Sequence, residues 1–259
     1  MPHLTETCPG AELGKRYAEM SVDTSWVSFK ISSRQLNKLK EAVMKTVAPT
    51  DVRLSSQDVL TAYIIHTLNR HSEVPITTVT NAASYRHVPN AVHSPDVAGN
   101  AVYIITTTLE SASSSLSDVA IAIRRTILRC RELAFVEEYM GVASALMLSA
   151  VNSGHSWVFA SSPEKLSVNS NANINWRSAH FGFPSSVRFH TSGLNDRYVR
   201  VFRSNPVPLE NMNFNPNTNA TDESWDVHFA VARSLGDEIT RTIESDLQAY
   251  NFPQNIGIT

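Results

Sequence analysis

The chain has 259 residues, 42% apolar and 18% charged, a globular composition long enough for one large domain or two small ones around a buried core. Its 22 Lys and Arg against 24 Asp and Glu give a formal net charge of -2, so it has no field with which to grip a phosphate backbone, and nucleic acid is not an expected partner. Two cysteines, Cys8 and Cys130, are too few for a disulfide scaffold or a thiolate-rich metal site, and neither a structural metal nor a disulfide is expected.

Residues 1–24 carry little periodic signal and read as a leader or surface-tethered arm, with residues 25–259 as a single domain. Pro2 to Arg16 lacks the apolar run of a signal peptide. Alternation in Trp26 to Ile31 predicts a half-buried strand. Ser32 or Ser33 then caps a helix to about Thr46, with Leu36, Leu39, Val43 and Met44 on its apolar face. Ser55 opens a second helix, Asp58 completing a capping box, with Val59, Leu60, Tyr63, Ile64 and Leu68 as its stripe to about His71.

Ile76 to Thr80 and Ala101 to Leu109, rich in Val, Ile and Thr, read as strands separated by a loop with Pro89, Pro95 and Gly99. A helix is expected from Leu116 to Leu133, and a further helical segment from Phe135 to Val151. Within it the apolar part, Met140 to Val151, is shorter than the roughly 20 residues that span a bilayer, so the expectation is a soluble, cytoplasmic protein off the membrane. Strands follow at Lys165 to Val168, Val187 to His190, Tyr198 to Phe202 and Trp225 to Val231. Asn205 to Thr221, with six Asn and three Pro, reads as a surface loop. Ser234 to Tyr250 closes the chain's pattern as a helix. The sum is a mixed α/β domain, helices covering a sheet whose antiparallel part lies late in the sequence.

Familiar catalytic patterns do not occur: there is no Gly-rich phosphate loop, CxxC, HExxH or GxSxG. His87, His93 and Asp96 share one loop and read as solvated polar groups, and the sequon Asn219-Ala220-Thr221 carries little weight without a secretion signal. More specific is Trp176-Arg177-Ser178-Ala179-His180-Phe181-Gly182-Phe183-Pro184. Gly182 gives a permissive backbone, Pro184 a fixed one, and the two Phe anchor a tight turn.

That turn resembles the Asp-Phe-Gly-Trp-Gly motif of the BAHD acyltransferases, a plant and fungal family that moves acyl groups from coenzyme A to alcohols or amines. The match is Phe181-Gly182 followed by aromatic Phe183. Further landmarks fall in the family's C-terminal order. Ser55 to Ala62 is similar to its S-x-x-D-x-L-x-A helix start, and Asn81 to Arg86 to its N/D-x-R-x-R loop. Gly99-Asn100 is similar to the step before the next strand, and Trp225 to Tyr250 to the closing strand and helix. The resemblance implies an α/β fold like one lobe of the chloramphenicol-acetyltransferase type, a mixed β-sheet flanked by helices.

Departures from the family pattern bear on function. Its catalytic His-x-x-x-Asp belongs to the N-terminal lobe, and no His in this sequence is followed four residues later by Asp. The motif's Asp becomes His180, its Trp Phe183 and its second Gly Pro184, while only Arg86 remains of the loop arginines that pair with that Asp. The resemblance then implies a C-terminal lobe without its general base. One reading is an acyltransferase of fungal-type secondary metabolism, acting on a small-molecule alcohol or amine with a coenzyme A thioester as co-substrate and no tightly bound cofactor. His180 and His155 are its candidate bases. Arg86, Asn100, Arg177 and Phe183 are candidate contacts to coenzyme A, or structural braces. The others are a repurposed lobe that binds an apolar metabolite and promotes a cyclisation by orientation, and a non-catalytic scaffold. A lone lobe leaves half a tunnel exposed. The expected cover is a second copy, a separate N-terminal-lobe chain, or the 1–24 arm.

Overall fold

Strand alternation sets the architecture. In the computed structural model, which describes residues 4–47, 52–92, 94, 96, 98–110, 114–179, 181–182, 187–191, 195–205 and 224–249, one sheet organises the chain. Its strands in sequence are β2 (Thr24–Ser32), β3 (Thr78–Ser84), β4 (Val102–Thr108), β6 (Lys165–Ser170), β7 (Tyr198–Arg203) and β8 (Ser224–Ala232), in spatial order β2-β8-β7-β6-β3-β4. The inner pairs β3–β6 and β6–β7 are parallel, and antiparallel pairs flank them on both sides. The sequence had placed antiparallel pairing late only; β3–β4 adds an early pair.

Four helices cover one face: α2 (Ser33–Thr46), α3 (Ser56–His71), α4 (Leu116–Cys130) and α6 (Arg233–Ala249). Every second strand residue faces them, so Val79, Leu166, Val199, Val227 and Phe229 are buried against Leu39, Leu60, Ile64, Ile123 and Ile239. Three of these helices start with the same device. Ser32 with Gln35, Ser55 with Asp58, and Ser115 with Asp118 each form a reciprocal capping box. Met44, expected on the buried face of α2, is instead exposed.

The long helix expected from Leu116 to Leu133 ends at Cys130. Glu132 is extended, and α5 (Leu133–Asn152) starts anew. By length and composition α5 is apolar enough to cross a bilayer, against the shorter span read from Met140 to Val151. Glu137 and Glu138 interrupt its charge-free run, so the uncharged residues after them cover only part of the helix. Val136, Tyr139 and Ala143 dock α5 beside β4, where Tyr139 packs edge-on against Tyr103 at 5.6 Å. Tyr139 Oη accepts a hydrogen bond from the Ile104 N–H at 3.2 Å, which satisfies a donor on the sheet's edge strand. Cys130 and Cys8 are both buried free thiols, and burial pushes the Cys130 thiol up.

Residues 4–24 carry regular structure where the sequence shows no period. β1 (Thr7–Pro9) pairs antiparallel with β5 (His155–Trp157), α1 (Leu13–Met20) follows, and Leu4 and Cys8 are buried. A three-residue strand has too few positions to show a period, hence the missed signal. Val187 to His190 does not form the predicted strand. Its backbone is held by a side chain instead: Asn205 Oδ1 accepts from Phe189 N at 2.7 Å, and Asn205 Nδ2 donates to Phe189 O at 2.8 Å.

Candidate functional site

The sheet face opposite the four helices carries the polar half of the strand alternation. Thr78 and Thr80 on β3, Thr106 and Thr108 on β4, and Lys165, Ser167 and Asn169 on β6 all line a cavity of about 670 Å³ there. The segment Val158 to Ser161 forms one side, and Glu6 and Tyr17 bring the N-terminal region to its rim. Tyr17 Oη accepts a hydrogen bond from Phe159 N at 3.1 Å, so α1 is fastened to the cavity wall. Of the covers expected for this face, the 1–24 segment thus reaches its edge.

Cross-strand hydrogen bonds organise the floor. Thr80 Oγ1 donates to Ser167 Oγ at 2.9 Å, its register partner on β6, and Asn169 Nδ2 donates to Tyr198 Oη at 3.1 Å. Val102, Ile104 and Val158 supply apolar surface beside these groups. The cavity can therefore take a ligand with one apolar and one polar side.

Two ionisable groups stand at it. Lys165 is half-buried; its ammonium donates to the Ala160 carbonyl, and burial lowers its pKa against the opposing pull of Glu6 and Glu164. Asp196 lies just before β7, and burial raises its pKa while Arg197 pulls the other way. Asp196 Oδ1 is buried with no hydrogen-bond partner among the described residues. Backbone geometry explains how Asp196 and Tyr198 both line the cavity. Arg197 between them adopts φ 55°, a left-handed conformation that is costly for a long side chain. Its guanidinium crosses to the other side and donates to Ser72 Oγ at 2.9 Å.

The residues singled out from sequence are dispersed. Arg86 donates to the Gly99 carbonyl and so closes the loop between β3 and β4. Asn100 is exposed on that loop, its carbonyl accepting from Tyr85 Oη at 3.4 Å. Of the cavity lining, Ala82 lies two residues before the end of β3 and Val102 is the first residue of β4, on the two sides of this loop. His155 sits on β5 opposite Pro9, with Ser153 Oγ 3.4 Å from its Nδ1, and lines no described part of the cavity. Arg177 lies in a short 3-10 turn, Trp176–Ser178. His180 and Phe183 fall outside the described residues.

Lys165, Asn169, Asp196 and Tyr198 went unselected. The available signal was the row of Thr and Ser on alternate positions of strands whose other face is largely apolar, a polar sheet face with nothing assigned to cover it.

No family model matches the sequence, and no curated protein matches it. Solved structures do. F. graminearum TRI101 complexed with ethyl coenzyme A aligns with a TM-score of 0.59 at 19% identity, over 87% of this chain and 48% of that one. F. sporotrichioides TRI101 complexed with coenzyme A and T-2 gives 0.57 at 20% identity, over 88% and 49%. Vinorine synthase gives 0.54 at 12% identity, over 84% and 46%. These neighbours are BAHD-type acyltransferases, and the likeness is one of fold. The chain spans about half the length of each. Its six-stranded mixed sheet with flanking helices is the chloramphenicol-acetyltransferase-like architecture over that extent.

Proposed function

We propose that the chain is an acyltransferase-type lobe that receives a coenzyme A thioester in the cavity over β3, β4 and β6 and passes its acyl group to an alcohol or amine. The observation that carries this reading is the cavity itself, on the sheet face opposite the helices, in a fold whose neighbours include chains solved with coenzyme A. A thioester has an apolar acyl arm and anionic phosphates. Val102, Ile104 and Val158 suit the first, and Lys165 is a cation placed for the second. An anion beside Lys165 would offset the burial that now lowers its pKa.

The reading includes a partner. A cavity open on one side is completed by a second copy of this chain or by a separate chain bearing the other lobe. Arg86 and Asn100, on the loop beside Ala82 and Val102, would then meet the ligand at that end, and Arg177 and Phe183 remain proposed contacts of the same kind. The apolar strip beside the polar floor also favours a second reading, in which the cavity orients an apolar metabolite for cyclisation.

Thermal unfolding with acetyl-CoA separates the two. Acetyl-CoA at about 100-fold over its Kd stabilises the folded chain by about 2.7 kcal/mol, and Lys165→Met shrinks the gain. No shift with acetyl-CoA at millimolar concentration overturns the acyltransferase reading. Stabilisation by apolar ligands alone would move the function to the second.

A further inference from the structure

A second cavity, of about 390 Å³, opens on the same sheet face toward the β2 edge. Its base is His228 on β8, and Phe189, His190 and Phe202 form its inner wall with Trp26 and Lys30 on β2 at its outer side. His228 lies flat on Phe202, ring centroids 5.1 Å apart and planes 2° from parallel. Phe202 in turn packs on Phe189 at 4.7 Å. The wall is fixed in place by the two hydrogen bonds from Asn205 to the Phe189 backbone. Neither His228 nitrogen has a hydrogen-bond partner among the described residues.

The groups around the imidazole are defined by register. Ser28 on β2 and Arg200 on β7 are its direct cross-strand partners, and Asp226 is two residues away on the same face, opposite Lys30. Asp226 is already engaged: Oδ1 accepts from Ser204 Oγ at 2.6 Å and Oδ2 from Asn205 N at 3.2 Å. Arg200 is engaged too, Nε donating to Thr191 Oγ1 at 3.0 Å. Burial lowers the His228 pKa and His190 lowers it further, against Asp226. Burial thus favours the neutral ring, which has a nitrogen able to accept a proton.

We propose that this aromatic-walled cavity binds a hydroxylated aromatic small molecule, whose hydroxyl donates to His228. Phe189 and Trp26 offer aromatic surface to an aromatic body, Phe202 is buried beneath the imidazole it carries, and the imidazole is the acceptor at the base. The two cavities are neighbours. Arg200 pairs with His228, so Tyr198, which lines the first cavity, is the diagonal neighbour of His228, about 7–8 Å away in such pairs.

Resting on the acyl-transfer reading, the same contact is where the acceptor loses its proton. The hydroxyl proton passes to His228, and the oxygen forms a C–O bond to the thioester carbonyl carbon. The C–S bond breaks, and the imidazolium returns its proton to the departing thiolate. The products are an ester and free coenzyme A.

The probe is 2-naphthol, with 2-methoxynaphthalene as the control that lacks the donor. Fluorescence titration should show 2-naphthol binding about 3- to 10-fold weaker to His228→Phe, which keeps a ring on Phe202 and removes the acceptor, the loss of one hydrogen bond, with the methoxy compound unchanged. NMR of wild-type protein should show 2-naphthol moving the His228 ring signals, a readout that survives if the variant folds poorly. If 2-naphthol does not bind, or binds without moving those signals, the site assignment is overturned. With acetyl-CoA added, His228→Gln should lose naphthyl acetate formation by a hundredfold or more. Equal rates in the variant would overturn the base. His228-dependent binding with no transfer by wild type overturns the base and supports the binding site, while the acyltransferase reading stands or falls on acetyl-CoA binding in the first cavity.

Discussion

Arg124 and Asp58 meet across the contact between α4 and α3, guanidinium Nε 2.7 Å from carboxylate Oδ2. The same carboxylate oxygen accepts from Ser55 N at 2.6 Å and Ser55 Oγ at 2.8 Å, so one buried acid caps α3 and anchors α4 to it. Asp58 is 1% exposed, and its removal strands Arg124 in a poorly solvated place. Asp58→Ala should cost about 3–5 kcal/mol in urea unfolding. Asp58→Asn, which keeps the capping acceptor, should cost less. Equal losses in the two variants would mean that the cap contributes nothing beyond the ion pair.

Gly236 lets α6 approach β2. A Cβ at that position would lie 2.8 Å from Ser25 Cβ, closer than real side chains come. Helix propensity favours Ala over Gly by about 1 kcal/mol, so the ordinary expectation for Gly236→Ala is a gain. Here overpacking should reverse the sign, for a net loss of about 1–3 kcal/mol. Adding Ser25→Gly should recover most of it. A more stable Gly236→Ala single variant would show that α6 shifts freely on the sheet.

Acid should weaken the fold through His66 and His228. Burial lowers both pKa values from 6.5; Arg70 adds to the effect at His66 and His190 at His228, with Asp246 and Asp226 opposing. Near pH 6.5 and below, the unfolded chain takes up protons that the folded chain refuses, so stability rises with pH in that window. The contribution is complete above about pH 6.5 and is lost as pH falls toward the depressed folded values. The urea midpoint should drop between about pH 7 and 5. The drop should shrink in the double variant His66→Gln, His228→Gln. An unchanged slope in that variant refutes the assignment.

Asp196 works in the opposite sense. Burial raises its pKa above 3.8, so the folded chain holds a proton that the unfolded chain has released, and the cost of its charge grows as pH rises through that window. Asp196→Asn should match wild type near pH 4 and exceed it in stability at pH 7, where the buried charge is gone. A less stable variant at pH 7 would show that the Arg197 contact outweighs burial.

Local chemistry was legible in the sequence and long-range placement was not. Ser55 with Asp58 could be read as a capping box because both partners lie three residues apart, yet the same Asp58 meets Arg124 from 66 positions away, and no period encodes that. Strand faces were legible through alternation at Trp26 to Ile31 and Ala101 to Leu109. The cavity was not, since it forms where Thr80, Lys165 and Tyr198 from three separate strands come together. His228 was hidden for the same reason: within Trp225 to Val231 it reads as the polar half of a strand. Only the β7–β8 register sets it beside Arg200 and near the aromatic wall.

Asn205 shows how a loop residue can decide a site. Its amide takes the place of a neighbouring strand for Phe189, one donor and one acceptor in a pair, and this is why the β-branched start of Val187 to His190 forms no ladder. Asn205→Ala deletes both bonds and leaves two backbone groups of a half-buried segment unpaired. The expected loss is about 1–3 kcal/mol per unsatisfied group that water cannot reach. The larger effect should fall on the second cavity, because Phe189 is held against Phe202, and Phe202 carries the His228 ring. Binding of 2-naphthol should weaken, and the His228 ring signals should broaden or shift without ligand. Acetyl-CoA binding in the first cavity should stay near wild type, since neither Asn205 nor Phe189 lines it. Asn205→Asp separates geometry from bulk, because it keeps the acceptor for Phe189 N and loses the donor to Phe189 O. It should fall between wild type and Asn205→Ala. If Asn205→Ala binds 2-naphthol normally, the 187–191 segment is held by something other than this amide.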